Sequence, residues 1–539
     1  MGETVPSIVE RHAAVWPRRP ALVGEGISLT FHELNREADR VAGLLASLGV
    51  GKADNVGLMV HNTPELILGM LGTVKLGAVA NLWSFRSTHR ELGYLLGRVR
   101  PKALVFGPDL APVVATSREE AAGGGAGCVF LCAGDGPAPA WARSFLLEVG
   151  AQPEGPLSPP PAMEPSDPCT VIYTAGTMGR PKGAAYTHRT QLLSAIQYSL
   201  EMGLDRGHVG LSVAPVVHGA ALNFYFAYLF LGATFVVSGR YEPEAALRLV
   251  RRFGATEVMA VGTQILQMCD VAEATGHRPE TLRLIRTGGS SYPVSLVERM
   301  RRALGCDLVN TYGMTENCAN TTVMRTDLDP REKWTGIGKA TAFWQVRVVR
   351  MDEGQEAAPD AVIQPPGRGQ VIVKGPQNIR EYYLGTGDPP TIRDGWLYTR
   401  DVAEVDREGY LTIVDRMDNM IKTGALNVYP QEVEAVLLRH PKVADAAVVG
   451  VPDETWGEVV AALVKPGAAD LTLEELERHC LEAEDLARFK RPKVISLVEE
   501  IPKNFFGKTD RVRLRAEYAP RLTAARVRPA TGGGGGGRS

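Results

Sequence analysis

Little in this sequence points outside the cell or into a bilayer. Its 539 residues include only seven cysteines, scattered except for Cys128 and Cys132, and none has the spacing of a metal site or a disulfide framework. A reducing cytosol is the compartment this fits, so the expected location is cytoplasmic. A run of the roughly 18–20 apolar residues that a spanning helix needs is missing. The longest apolar stretch, LNFYFAYLFLGATFVV (222–237), is shorter and interrupted by Gly232, which predicts a buried helix turning into a buried strand. The start, MGETVPSIVERHAAVW, lacks the basic residues and apolar segment of a secretory signal. Pro6 stands where a myristoylation motif needs Ser or Thr. Charge of one sign is not in excess either: 59 Lys and Arg face 61 Asp and Glu, a net −2 that argues against a nucleic-acid binder. No internal repeat of about 20–50 residues is present.

What is there is the balance of a globular protein, 45% hydrophobic and 22% charged, and too long for one ordinary core. Residues 28–50 read as a strand followed by an amphipathic helix with Leu34, Ala38, Val41, Leu44 and Leu45 on one face. Segments such as NVGLMV, GAVANL and KALVF then alternate with helical patterns, the signature of α/β layers. The proline-dense stretch from Gln152 to Pro168 reads as a surface connection leading to the strand CTVIYT. From about residue 417 the units shorten: a helix at 430–440, strands near 443–450 and 458–465, and a helix at 473–487. The expected organisation is a large α/β domain of layered sheets with helices over 1–416 and a small α+β domain over 417–525. A flexible Gly-rich tail over 526–539 contains TGGGGGGRS.

The loop YTAGTMGRPKGA (173–184) is rich in small residues. Gly176, Gly179 and Gly183 would let backbone approach a ligand, Thr177 adds a hydroxyl donor, and Lys182 supplies a point charge suited to phosphate. It is not a Walker A motif: counted from Gly176, the second glycine would fall at Pro181, and Gly183 takes the place of the metal-binding Ser or Thr. Taken alone, the loop is equally compatible with a plain turn carrying one surface lysine.

Five further segments accompany it in order: APVVHG (214–219), TGGSSYP (287–293), NTYGMTE (310–316), DGWLYTRDVAEVDREGYLTIVDRMDNMIKTGALNVYPQEVE (394–434) and IPKNFFGKTDR (501–511). Together with the loop they resemble the signature motifs of the adenylate-forming (ANL) superfamily, which holds acyl-CoA synthetases, firefly-type luciferases and peptide-synthetase adenylation domains. The resemblance covers about residues 20–515.

It implies activation of a small-molecule carboxylate by ATP with Mg²⁺, giving an acyl-adenylate and pyrophosphate, followed by thiol attack from coenzyme A that releases AMP. Carried over by position, Thr174, Ala175, Gly176, Thr177, Met178 and Lys182 would surround the β- and γ-phosphates. Glu316, assisted by Thr315, would ligate magnesium. Tyr312 would stack on adenine in a pocket formed by Gly289, Ser290, Asn310, Thr311, Gly313 and Met314. Asp401 and Arg416 would hold the ribose. Lys508, on a small-residue loop beside Gly507, would bridge carboxylate and α-phosphate as charge develops.

The small domain is then expected to be a mobile lid that rotates about the hinge Asp418. Rotation would bring Lys422, Thr423, Gly424 and Ala425 to a pantetheine tunnel, with His218 as the gate toward the acyl pocket. By analogy with the family a homodimer is expected.

Several positions depart from the family pattern. Ala175 and Met178 replace hydroxyl residues, shifting the phosphate contacts toward backbone N–H groups and Lys182. Ala425 and Leu426 replace the usual Gly-Glu or Gly-Phe pair of the second-domain loop, adding a methyl group to a narrow passage. Arg400 stands where the family has glycine, so a positive φ there would be strained and a different local backbone is expected. Gln370 replaces a common glutamate without a functional account.

The acyl pocket is expected around 218–225, 262–266, 287–292 and 314–320, apolar and with few fixed charges, suiting an apolar aliphatic or aromatic acid. Two other readings compete with the free-standing acyl-CoA synthetase. One is an enzyme that loads a carrier-protein phosphopantetheine in trans. The other is a nucleotide-binding pseudoenzyme, against which Lys508 and Glu316 both speak.

Overall fold

The computed structural model describes residues 2–120, 127–157, 161–174, 180–318, 320–352, 355–423, 426–453, 456–483, 486–503, 509–511 and 513–518. The chain divides into two compact units. The first comprises Met1–Arg347, Ile372–Thr399 and Asp406–Thr412; the second comprises Val348–Val371, Arg400–Val405 and Ile413–Ser539. Strands Gln345–Val349, Gly367–Lys374, Trp396–Val405 and Leu411–Arg416 each give residues to both.

The first unit is built on two sheets. The seven-stranded sheet carries Asn55–Met59, Val79–Leu82, Ala103–Phe106 and Val129–Cys132 in parallel register, and ends in the antiparallel hairpin of Pro168–Thr174 with Lys182–Thr187. The nine-stranded sheet has a parallel centre formed by Val209–Ser212, Glu257–Met259, Leu284–Gly288 and Asp307–Tyr312. Long loops at the carboxyl ends of such parallel strands are where α/β proteins hold ligands.

Helix Phe31–Ser47 starts at Thr30, whose hydroxyl accepts the Glu33 N–H while Glu33 reaches back to the Thr30 N–H, a reciprocal cap. It buries Leu34, Ala38, Val41, Leu44 and Leu45, the face legible in the sequence. The apolar stretch is a helix, Gly219–Leu231, followed by the strand Thr234–Val237. Gly232 ends the helix at φ +72°, a conformation that a side chain would strain. Among the described residues no helix is long and apolar enough to cross a membrane.

The second unit carries an antiparallel ladder of Val443–Asp453 with Gly457–Pro466, joined by Ile421–Thr423, Leu426–Val428 and Val494–Leu497. Helices Pro430–Leu437 and Leu473–Glu482 bury Val433, Val436, Leu437, Leu476 and Cys480 against one face of it. Both are shorter than the sequence pattern suggests. Cys480 is the last buried side chain of the second helix, and Ala483, which follows the helix, is extended.

One histidine ties the start of the first unit to its interior. His188 is 1% exposed, and its Nδ1 accepts the Val5 N–H (3.2 Å), an otherwise unpaired donor in the first turn of helix Val5–Val15. Burial depresses its pKa to about 4, with Lys52 lowering and Asp167 opposing. The ring is therefore neutral in the fold but titrates near its ordinary 6.5 when unfolded. Below pH 6.5 the unfolded chain binds a proton that the folded chain refuses, so stability present above pH 6.5 is lost as pH falls toward 4. Unfolding free energies measured by urea across pH 4–7 should fall at up to ~1.4 kcal/mol per pH unit from this residue. His188→Asn, which keeps an acceptor without the titration, should flatten that slope; an unchanged slope would show that His188 is not the group responsible.

Candidate active site

The hairpin Pro168–Thr174/Lys182–Thr187 pairs Thr174 with Lys182 at its loop end, so both flank the glycine-rich loop. Ala175, Gly176, Thr177 and Met178, which the sequence assigns to phosphate, lie outside the described residues. The flanks are held from below and from one side. Below, Tyr173 is buried and donates through its hydroxyl to Asn81 Oδ1 (2.7 Å). Asn81 in turn donates to Asn55 Oδ1 (2.9 Å), which also accepts from the Tyr383 hydroxyl (2.9 Å). Burial pushes the Tyr173 phenol well above its usual range, so it stays a donor.

From the side comes the segment Ile379–Gly387. The Gly183 N–H donates to Thr386 Oγ1 (2.8 Å), the Lys182 stem runs over Gly387, and Lys182 Nζ lies 5.2 Å from the centre of the Tyr382 ring. The same tyrosine donates its hydroxyl to Glu316 Oε1, while the Ile379 N–H donates to the Glu316 carbonyl (2.9 Å). One side chain thus bears on both the cation and the carboxylate. Glu316 is 8% exposed and sits in the short turn Thr315–Asn317, which is fixed by Met314 N–H to Asn317 Oδ1 (2.8 Å) and by the Tyr186 hydroxyl to the Thr315 carbonyl (2.8 Å). Oxygen donors of this kind suit Mg²⁺ when phosphate oxygens complete the shell, so the residues present fit that ion.

The residues assigned to the nucleotide pocket also come together. Asn310, Thr311 and Tyr312 end the strand Asp307–Tyr312 and are buried; Gly313 and Met314 follow, half-buried. The neighbouring strand Leu284–Gly288 delivers Gly289, at φ +80°, and Ser290, both exposed. A Cβ on Gly288 would meet the Thr311 carbonyl oxygen at 2.6 Å, so only glycine lets these strands leave the sheet so close together. Asn310 Nδ2 donates to the carbonyls of Gly336 (3.1 Å) and Ser290 (3.3 Å), leaving Oδ1 buried with no donor. An orphaned acceptor beside an aromatic ring fits an exocyclic amino group such as that of adenine.

His218 caps helix Gly219–Leu231 and is half-buried. Burial, aided by the Arg86 charge, lowers its pKa to about 4, so it is a neutral ring at physiological pH. Arg286 is a feature the sequence did not foreshadow. It is 1% exposed and reaches Ala220 and Asn320, in two of the segments expected to enclose the acyl group. It places a fixed charge against those segments.

In the second unit, Asp401 Oδ1 and Arg416 Nε stand 3.2 Å apart, so the two residues assigned to ribose are brought together. Arg400 does adopt φ +62°: the backbone keeps the glycine-like conformation in place of the different one expected. For an L-residue this costs roughly 1–2 kcal/mol. Its guanidinium pairs with Asp418 Oδ1 through Nε (2.9 Å) and Nη2 (2.6 Å), at the position assigned to the hinge. Lys422 and Thr423 lie on the strand Ile421–Thr423, with the Lys422 side chain exposed and its N–H donating to Glu458 Oε2 (3.0 Å). Gly424, Ala425 and the assigned catalytic Lys508 fall outside the described residues. Sequence reasoning missed Tyr382, Thr386 and Arg286; only the paired aromatics of REYYLGTG offered a signal.

Against this geometry, a family model described as "AMP-binding enzyme" matches residues 9–383, and one described as "AMP-binding enzyme C-terminal domain" matches residues 432–508. The chain is 31% identical over 520 residues to a long-chain-fatty-acid–CoA ligase, FadD13, of Mycobacterium tuberculosis, covering 95% of this chain and 98% of that one. It is equally 31% identical to a 2-succinylbenzoate–CoA ligase of Bacillus mycoides, over 95% and 98% of the two chains. Among solved structures, the o-succinylbenzoate CoA synthetase of Bacillus subtilis in complex with its acyl-adenylate intermediate superposes with a TM-score of 0.81 at 27% identity, covering 95% and 98%. The same synthetase has been solved with ATP and a magnesium ion (TM-score 0.80, 26% identity, covering 94% and 99%). A family match over most of the chain and relatives of this identity along nearly its full length place it without ambiguity: the protein is an AMP-binding enzyme of the adenylate-forming superfamily, an acid–thiol ligase.

Proposed function

We propose that this protein is an ATP-dependent acyl-CoA synthetase. A carboxylate oxygen of the acid attacks the α-phosphorus of ATP, forming the acyl–O–P bond as pyrophosphate leaves. The thiol of coenzyme A then attacks the acyl carbon, the acyl–O bond breaks, AMP departs and the thiol proton is released. The observation that carries the reading is the joint placement of Lys182 and Glu316 by Tyr382 beside the glycine-rich loop. A fixed cation and a fixed carboxylate there suit a triphosphate that arrives with a divalent metal.

Magnesium, when bound, neutralises phosphate charge. Glu316 would hold it through the oxygen that Tyr382 leaves open, assisted by Thr315. Thr174 and Lys182 would orient the β- and γ-phosphates, which aligns pyrophosphate as the leaving group. Asn310 and Tyr312 would fix the base, Asp401 and Arg416 the ribose. Neutral His218 would gate the acyl pocket without adding charge beside the carboxylate. Residues 417–525 would form a lid that turns at Asp418, delivering Lys508 for the first step and Lys422 to Ala425 for the second. Names of relatives span long aliphatic and aromatic acids, which supports a carboxylic acid with a sizeable apolar body.

Pyrophosphate release, followed across a panel of carboxylic acids with and without coenzyme A, should depend on added acid, and free thiol should disappear in step. Acid-independent release would contradict an acyl-activating enzyme; release without thiol loss would point to a carrier-protein acceptor. In this assay Tyr382→Phe, which removes the donor to the Glu316 carboxylate, should lower kcat/KM about 10-fold or more. Lys508→Met should lower it by ~10²–10³. Parent-like rates in both would overturn these assignments.

A further inference from the structure

Arg286 carries a charge that the fold leaves unanswered. It lies near the carboxyl end of strand Leu284–Gly288 and is 1% exposed. Nη1 donates to the Ala220 carbonyl (2.6 Å) and lies 3.4 Å from Met259 Sδ. Nη2 donates to Thr311 Oγ1 (3.2 Å) and to Asn320 Oδ1. The guanidinium carbon stands 4.7 Å from the centre of the Tyr198 ring. Every one of these partners is neutral.

Among the described residues no carboxylate forms an ion pair with Arg286, and its Nε is buried without an acceptor. A guanidinium has five N–H donors, and here one has no partner and another faces only a thioether. Burying an ion without its counterion carries a desolvation penalty, of which stacking on a tyrosine ring returns only a part. Burial lowers the pKa of this group, but a guanidinium does not give up its proton at physiological pH. A purely structural link between these strands and helix Gly219–Leu231 could be made by a neutral amide at smaller cost.

The location says what the missing anion would be. The next residue along the chain is Thr287, which leads into the glycine turn of the nucleotide pocket. Ala220 lies two residues beyond His218, and Thr311 lies in the segment that ends at Glu316. The cation therefore touches two of the segments that would enclose the acyl group, at Ala220 and Asn320, and the nucleotide segment at Thr311. Two of the side chains against it, Met259 and Tyr198, are themselves buried.

We propose that Arg286 is a specificity-determining residue that pairs with a second carboxylate on the acid being activated, so the substrate is a dicarboxylic acid with an apolar body. This rests on the acyl-CoA synthetase reading given above. The first carboxylate reacts at the α-phosphorus; the second neutralises Arg286 and is unchanged by the reaction. The cost of keeping the cation buried is then offset on binding, and a monoacid leaves it uncompensated.

The test pairs acids of equal length, decanoate with decanedioate and benzoate with benzene-1,4-dicarboxylate, in the parent, Arg286→Met and Arg286→Lys. Pyrophosphate release should favour the better diacid at least 10-fold in kcat/KM in the parent. Arg286→Met should lower the diacid's kcat/KM at least 10-fold more than the monoacid's, while Arg286→Lys keeps part of the preference. A binding readout runs beside it: diacid should raise the melting temperature of the parent and not that of Arg286→Met. Should that variant fail to fold, the parent's own preference and the Arg286→Lys series still decide. Equal use of both acids by the parent, or equal losses for both in Arg286→Met, would overturn the proposal. If no acid releases pyrophosphate, the synthetase reading falls, and the melting shift alone decides whether Arg286 recognises a diacid.

Discussion

The hydroxyl of Tyr382 on the Glu316 carboxylate is the contact on which the candidate site of the first unit depends. The tyrosine caps the short 3₁₀ turn Tyr383–Gly385, and the same segment also receives the Gly183 N–H at Thr386 and supports the stem of Lys182 at Gly387. A carboxylate and an ammonium of opposite sign are thereby held at set positions without a direct ion pair that would quench both. A polar strap of this kind lets each charge remain available to a ligand while its rotamer is fixed. The buried chain from Tyr173 through Asn81 and Asn55 to Tyr383 anchors the strap to the sheet beneath.

Charge placement elsewhere follows the same economy. Histidines at helix starts are kept neutral by burial, as at His188 and His218. Cations stay charged where an anion is to be met. In the second unit Arg400 accepts a left-handed backbone and places its guanidinium on Asp418, although both side chains are partly exposed and such a pair contributes little on its own. The strain and the pairing fall on one short stretch, Arg400 to Asp418, where the assigned ribose residues Asp401 and Arg416 also meet.

How much of this was legible in the sequence depends on whether the signal was local. Helix Phe31–Ser47 announced itself through the spacing of Leu34, Ala38, Val41, Leu44 and Leu45, and the apolar run through its length and Gly232. The residues assigned to the nucleotide could be singled out because they sit in contiguous motifs at strand ends, where a sheet positions them with little help from elsewhere. Tyr382 and Thr386 could not, because their partners are 66 and 203 residues away and no periodicity marks so short a turn. Arg286 was missed for a different reason. In LRLIRTG an arginine next to apolar residues reads as the exposed face of a strand, whereas this strand is covered on both sides and buries every side chain from Leu284 to Thr287. Arg400 was seen as a departure, but its retained φ could not be inferred, since sequence alone does not say whether strain will be relieved or tolerated.

The account stands on carboxylate attack at the first phosphorus of ATP, and oxygen isotopes report that bond directly. Acid labelled with ¹⁸O in its carboxylate, turned over with ATP and coenzyme A in unlabelled water, should yield AMP carrying one labelled oxygen and pyrophosphate carrying none. Label appearing in a terminal phosphate, or AMP formed without label, would show that the bond is made elsewhere and would contradict the account.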